Sequence, residues 1–77
     1  MKKTFNYIGR YDNITYEVEF KNKQITSDYE IISLLNKYNF VVKYWERQAD
    51  RTPVEIKNRE IKKELLDNHN VVSFGTK

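Results

Sequence analysis

The chain has 77 residues, 39% hydrophobic and 14% aromatic, with no cysteine and a formal charge of +3. A chain this short makes one domain, residues 1–77, and buries roughly 60% of the surface its unfolded form exposes. Absent cysteine rules out disulfide and thiolate-metal staples, and no apolar run reaches the length of a bilayer-crossing helix.

Thr4 to Arg10 is rich in strand formers, and Tyr11-Asp12-Asn13 supplies turn chemistry. Ile14, Tyr16, Val18 and Phe20 then alternate with Thr15, Glu17, Glu19 and Lys21, the pattern of a strand with one wet face. The two segments predict a β-hairpin, with Gly9 marking a bulge near its tip. The rings of Phe5, Tyr7, Tyr16 and Phe20 are expected to form core.

Ser27-Asp28-Tyr29-Glu30 has the capping-box form, in which the serine hydroxyl accepts an orphan amide of the first turn. Ile31, Ile32, Leu34, Leu35 and Tyr38 follow at helical spacing. A helix from Ser27 to about Tyr38 is predicted, with Asn39 as its left-handed cap.

The next stretch, Phe40-Val41-Val42-Lys43-Tyr44-Trp45-Glu46-Arg47, is the most informative in the chain. As a strand it is apolar on both faces, with Phe40, Val42 and Tyr44 on one and Val41, Lys43, Trp45 and Arg47 on the other. Such a strand is central to its sheet or shows the Trp45 side to a partner.

Two readings compete beyond the polar loop at 48–52. Thr52-Pro53-Val54-Glu55 fits a helix start with proline in the first turn, but that helix turns Ile56 away from Val54, Ile61 and Leu65. The alternative makes 53–57 a short strand, with Asn58 capping a helix from Arg59 to about Asn68. It leaves no isoleucine in water and is preferred here. A faint repeat agrees: Glu30-Ile31, Leu34-Leu35, Asn39 and Val41-Val42 recur as Glu60-Ile61, Leu65-Leu66, Asn70 and Val71-Val72. The expected fold is α+β: a small antiparallel sheet with two helices on one face, arranged ββα-ββα, and a short last strand from Val71 to Phe74.

Chemistry-bearing motifs are few. His69 stands alone in Asp67-Asn68-His69-Asn70 and is expected to be a solvated helix-end residue, since zinc wants several ligands at set spacing. Glu17 and Glu19 belong to a wet strand face. Gly9 and Gly75 are the two glycines, so no phosphate-cradling loop exists. The sequence therefore predicts no catalytic residue, no metal and no cofactor, although a ribonuclease built from scattered Arg, Lys and Tyr needs no motif.

Lys43, Trp45 and Arg47 form the sharpest candidate site. Two cations flanking an indole suit a protein hot spot or single-stranded nucleic acid; the structural alternative is Trp45 packed under the second helix. Arg59, Lys62 and Lys63 make a secondary basic face. The charge itself is dispersed: +2 over residues 1–25, zero over 26–45 and 46–76, and Lys77 adds the last +1.

The leading expectation is a small non-catalytic module that binds and regulates or inhibits a protein, with self-association as a homodimer as a further partner option. An accessory protein of a phage or mobile element, acting in the cytoplasm, suits the composition. The rival is a nucleic-acid binder using the basic and aromatic strand face.

Overall fold

The computed structural model describes residues 1–10, 13–45 and 47–77, and of Trp45 the backbone alone. In chain order it contains β1 (Lys2–Ile8), β2 (Asn13–Phe20), α1 (Asp28–Phe40), a π-helical turn (Val41–Trp45), α2 (Thr52–Asn68) and β3 (Val71–Thr76). The strands form one antiparallel sheet with β2 in the middle. Phe5, Tyr16, Val18, Phe20 and Val71 of the sheet pack against Ile31, Leu35 and Leu65 of the two helices. The chain is thus the small α+β domain its patterning predicts.

Alternation explains the sheet. Tyr16, Val18 and Phe20 are buried while their neighbours on β2 are wetter, so burial follows the period of two. The hairpin register runs without a shift from Lys2↔Glu19 to Ile8↔Asn13. Gly9 lies beyond the end of that pairing, so its expected bulge falls outside the described register, and the Tyr7 ring packs on it: an added Cβ would sit 2.9 Å from that ring. The irregularity is on the other side of β2, between Glu19 and Phe20, where β3 pairs. Tyr11 and Asp12 of the expected turn lie outside the described residues.

α1 starts as its sequence dictates. The Ser27 hydroxyl accepts from the Glu30 amide at 3.3 Å, and Asp28 in the first turn suits the positive end of the helix. Its end differs from expectation. Asn39 stays helical and the chain runs on through Val41–Trp45 as a π-helical turn. The strand expected over 40–47 is absent wherever the structure describes those residues.

Energetics explain the difference. Valine or phenylalanine in a helix costs up to about 0.7 kcal/mol per residue relative to alanine, whereas burying such a side chain contributes about 1.5–3 kcal/mol. Val41 is buried, and its amide donates to the Lys37 and Tyr38 carbonyls. Both sides of β2 are already occupied, so a strand here would have to extend the sheet outward. Packing wins over propensity.

The reading preferred for 53–57 is also overturned. α2 begins at Thr52 with Pro53 in its first turn, and the Asp50 carboxylate accepts from the Thr52 amide at 3.0 Å. Val54 and Leu65 are buried on its inner side and Ile61 packs against the core. Ile56 is left 47% exposed, the outcome the strand was invoked to avoid. Leaving one isoleucine half wet forfeits about 1 kcal/mol of burial, less than the added helical turn and buried Val54 return. With 53–57 and 40–45 helical, the second half lacks the strands a ββα-ββα repeat requires.

At the end of α2, Asn70 takes φ 60°, the left-handed conformation that asparagine tolerates better than most residues. Its carbonyl accepts from the Lys21 amide at 2.8 Å and its side chain donates to the Lys23 carbonyl at 3.1 Å. The chain is thereby turned into β3 beside β2.

Candidate docking site

An open groove of about 660 Å³ lies where α1, its π-helical extension and α2 meet the end of β1. Ile32, Val41 and Ile61 form much of its apolar lining, Tyr7 reaches it from the sheet, and Lys37 and Lys57 bring cations to it. Lys57 is held 3.5 Å from Glu60. The side-chain oxygen of Asn36, another lining residue, is buried and has no hydrogen-bond partner. A buried acceptor left unmatched costs about 1–3 kcal/mol.

Phe40 belongs to the groove lining and stacks on Tyr44 with ring centroids 4.7 Å apart and planes 30° from parallel. The pair exists because the segment is helical: residues four apart meet on a helix face, while in a strand they would lie about 13 Å apart. Phe40 is 53% exposed and Tyr44 59%. Tyr29, also in the lining, is more exposed still. Each of these rings leaves apolar surface in water at or beside the groove.

The residues singled out from sequence fare differently. Lys43 and Arg47 are exposed, and the Trp45 side chain lies outside the described residues. Residues two apart share a face in a strand but not in a helix, and the backbone is helical at Lys43 and Trp45, so strand alternation does not describe that pair. On α2, Arg59, Lys62 and Lys63 are exposed. Lys62 lies over the Tyr38 ring at 5.6 Å, which in turn meets Phe74 edge-on at 5.1 Å. That cation anchors α2 to the end of α1.

His69 is the other correction. It is 8% exposed, with Nδ1 3.1 Å from the Thr26 hydroxyl and Nε2 3.4 Å from a Glu64 carboxylate oxygen. The helix-end position was legible, but the solvation was not. A hydroxyl, an imidazole and a carboxylate in sequence resemble a nucleophilic relay in composition. Here they join the loop before α1 to the last turn of α2, and Thr26 does not line the shallow pocket beside His69 and Glu64. Among the described residues, no group of three or more His, Asp or Glu side chains is placed to hold a metal ion.

Among the described residues, two carboxylates are shifted. The Lys3 ammonium, 2.7 Å away, and then the Gln24 amide hold the Asp28 carboxyl below the usual carboxylate range. The Thr52 amide does the same for Asp50. Both shifts come from hydrogen bonds that secure helix starts, and neither faces the groove.

No family model matches the chain, and no curated protein or solved structure shows significant similarity to it. Among the described residues, no helix is long and apolar enough to cross a membrane.

Proposed function

We propose that the chain is a non-catalytic binding module that docks a protein partner in the groove between α1 and α2, regulating or inhibiting that partner by occupying its surface. The observation that carries this reading is the stacked Phe40–Tyr44 pair, more than half exposed beside an apolar groove. Single exposed apolar residues are ordinary, whereas a contiguous set flanking a concavity is the mark of an interaction surface. Aromatic anchors in a desolvated pocket dominate measured interface energies. Lys37 and Lys57 favour a partner segment that carries acidic residues beside its apolar ones. A cytoplasmic setting belongs to the same proposal.

The test pairs capture with affinity. A partner captured by the wild-type chain is purified, and its binding to a Phe40→Ala/Tyr44→Ala variant is titrated. The double substitution is expected to weaken binding about thirtyfold or more, equivalent to about 2 kcal/mol, with the circular dichroism spectrum retained. Unchanged affinity in a folded variant would overturn the docking face. Titration with single-stranded and duplex oligonucleotides at two salt concentrations addresses the nucleic-acid alternative, for which binding falls steeply with salt. The module proposed here gives a flat response to both.

A further inference from the structure

We infer that the outer edge of β1 pairs with the same edge of a second copy of this chain, joining two three-stranded sheets into one of six. The edge adjoins the groove at Tyr7, but the inference does not rest on the docking proposal.

The alternation of hydrogen bonds along the hairpin identifies the free groups. The Phe20 amide donates to the Met1 carbonyl at 2.7 Å, and the Met1 amine to the Phe20 carbonyl at 3.0 Å. Every second pair in an antiparallel ladder is bonded in this way. In the register Lys3↔Val18, Phe5↔Tyr16 and Tyr7↔Ile14, those three residues of β1 therefore face β2. The amides and carbonyls of Lys2, Thr4, Asn6 and Ile8 point away from it, along an edge that no other strand covers among the described residues. All four side chains are exposed, Ile8 to 75%.

Natural sheets protect such edges with proline, bulges or charge. β1 has no proline and no register shift, and from Thr4 to Ile8 it carries no charge. Its two cations are engaged, Lys2 with Glu17 at 3.9 Å and Lys3 with Asp28 at 2.7 Å. The opposite edge differs: the pairing of β3 is broken by a shift beside Phe20. β1 is the edge left regular.

The sequence of β1 is compatible with itself. A two-fold axis at Phe5, the middle of Lys2–Ile8, sets Lys2 opposite Ile8, Lys3 opposite Tyr7 and Thr4 opposite Asn6 of the other copy. No like charges oppose one another, and each lysine meets an apolar or aromatic neighbour. The pairs of Lys2 with Ile8 and Thr4 with Asn6 join outward-facing residues to outward-facing residues. The joint would thus form about eight hydrogen bonds between copies. That match of charge and register favours a second copy over an unrelated strand.

Sedimentation velocity over a wide concentration range, with amide hydrogen exchange at each end of it, tests the inference. The wild-type chain is expected to pass from monomer to dimer, and the Thr4 and Asn6 amides to gain at least tenfold protection as it does. Thr4→Lys/Asn6→Lys sets lysine against lysine across the joint at exposed positions and is expected to abolish the dimer. Asn6→Pro removes an outward amide not used by β2 and is expected to do the same. A wild-type chain that stays monomeric at the highest concentration would overturn the inference. So would a dimer that survives the double lysine substitution, amides that exchange freely in the dimer, or protection that appears only when another protein is added.

Discussion

Two passages of this chain start alike and end differently. Asn39-Phe40-Val41-Val42 closes α1 and continues beyond it, and Asn70-Val71-Val72 follows α2, each rich in strand-forming residues. The first continues as helix through Val41–Trp45, while the second becomes β3. The difference lies in the asparagine and in what awaits the chain. Asn70 takes φ 60° and bonds through its carbonyl and side chain to the segment after β2, which presents an open side to the arriving strand. Asn39 remains helical, and Val41 gains burial without leaving the helix. Local preference proposes a strand in both places; a free neighbouring strand grants it in one.

The harshest way to break this comparison is Val41→Pro. Helical residue 41 donates its amide to two carbonyls of the preceding turn, so proline there is expected to cost about 3 kcal/mol or more in urea unfolding. A strand exposed at a sheet edge would absorb proline with little loss, so a small effect would favour strand geometry.

Asn70 sharpens the contrast at lower cost. Asn70→Ala forces an alanine into the left-handed region and removes the bond to Lys23, for an expected loss of about 1–2 kcal/mol. Asn70→Gly keeps the conformation and is expected to recover most of the backbone penalty. At helical Asn39, glycine does the reverse, costing a few tenths to about 1 kcal/mol. Chemical denaturation of the four proteins, wild type included, reads all of these differences. Equal behaviour of glycine at both positions would erase the distinction.

These sites show what was readable in advance. The hairpin, the Ser27 cap and the last strand each follow from a pattern that one segment satisfies by itself: alternation, a side-chain cap, a β-branched run. Residues 40–45 and 53–57 depart from the strand pattern because their outcome depends on partners distant in sequence. Val54 reaches the core only if the helix starts at Thr52, which strands Ile56 at the surface. The Phe40–Tyr44 pair, the heart of the proposed site, was invisible under a strand assignment because it exists only at helical spacing. His69 gave no sequence signal of its burial, since Thr26 and Glu64 approach it from separate elements.

The smallest expected effect concerns the starts of the two helices, which resemble each other more than their ends do. Asp28 and Asp50 both have carboxyl groups that lose protons more readily than usual because hydrogen bonds favour the charged form. A lowered folded-state pKa contributes stability present above the unfolded value and lost as pH falls through the folded one. Stability is thus expected to be level down to about pH 4 and to decline below it. Asp28→Asn is expected to flatten that decline. An unchanged acid limb in this variant would show that the Lys3 contact adds nothing in solution.

The backbone stays helical from Phe40 to Trp45 and brings two aromatic rings together on an open surface. Nuclear Overhauser contacts in the isotope-labelled protein test this geometry most directly. Successive amide–amide contacts through residues 40–45, with a contact between the Phe40 and Tyr44 rings, are the predicted result. Strong Hα-to-next-amide contacts in their place, with cross-strand contacts and no meeting of the two rings, would contradict it.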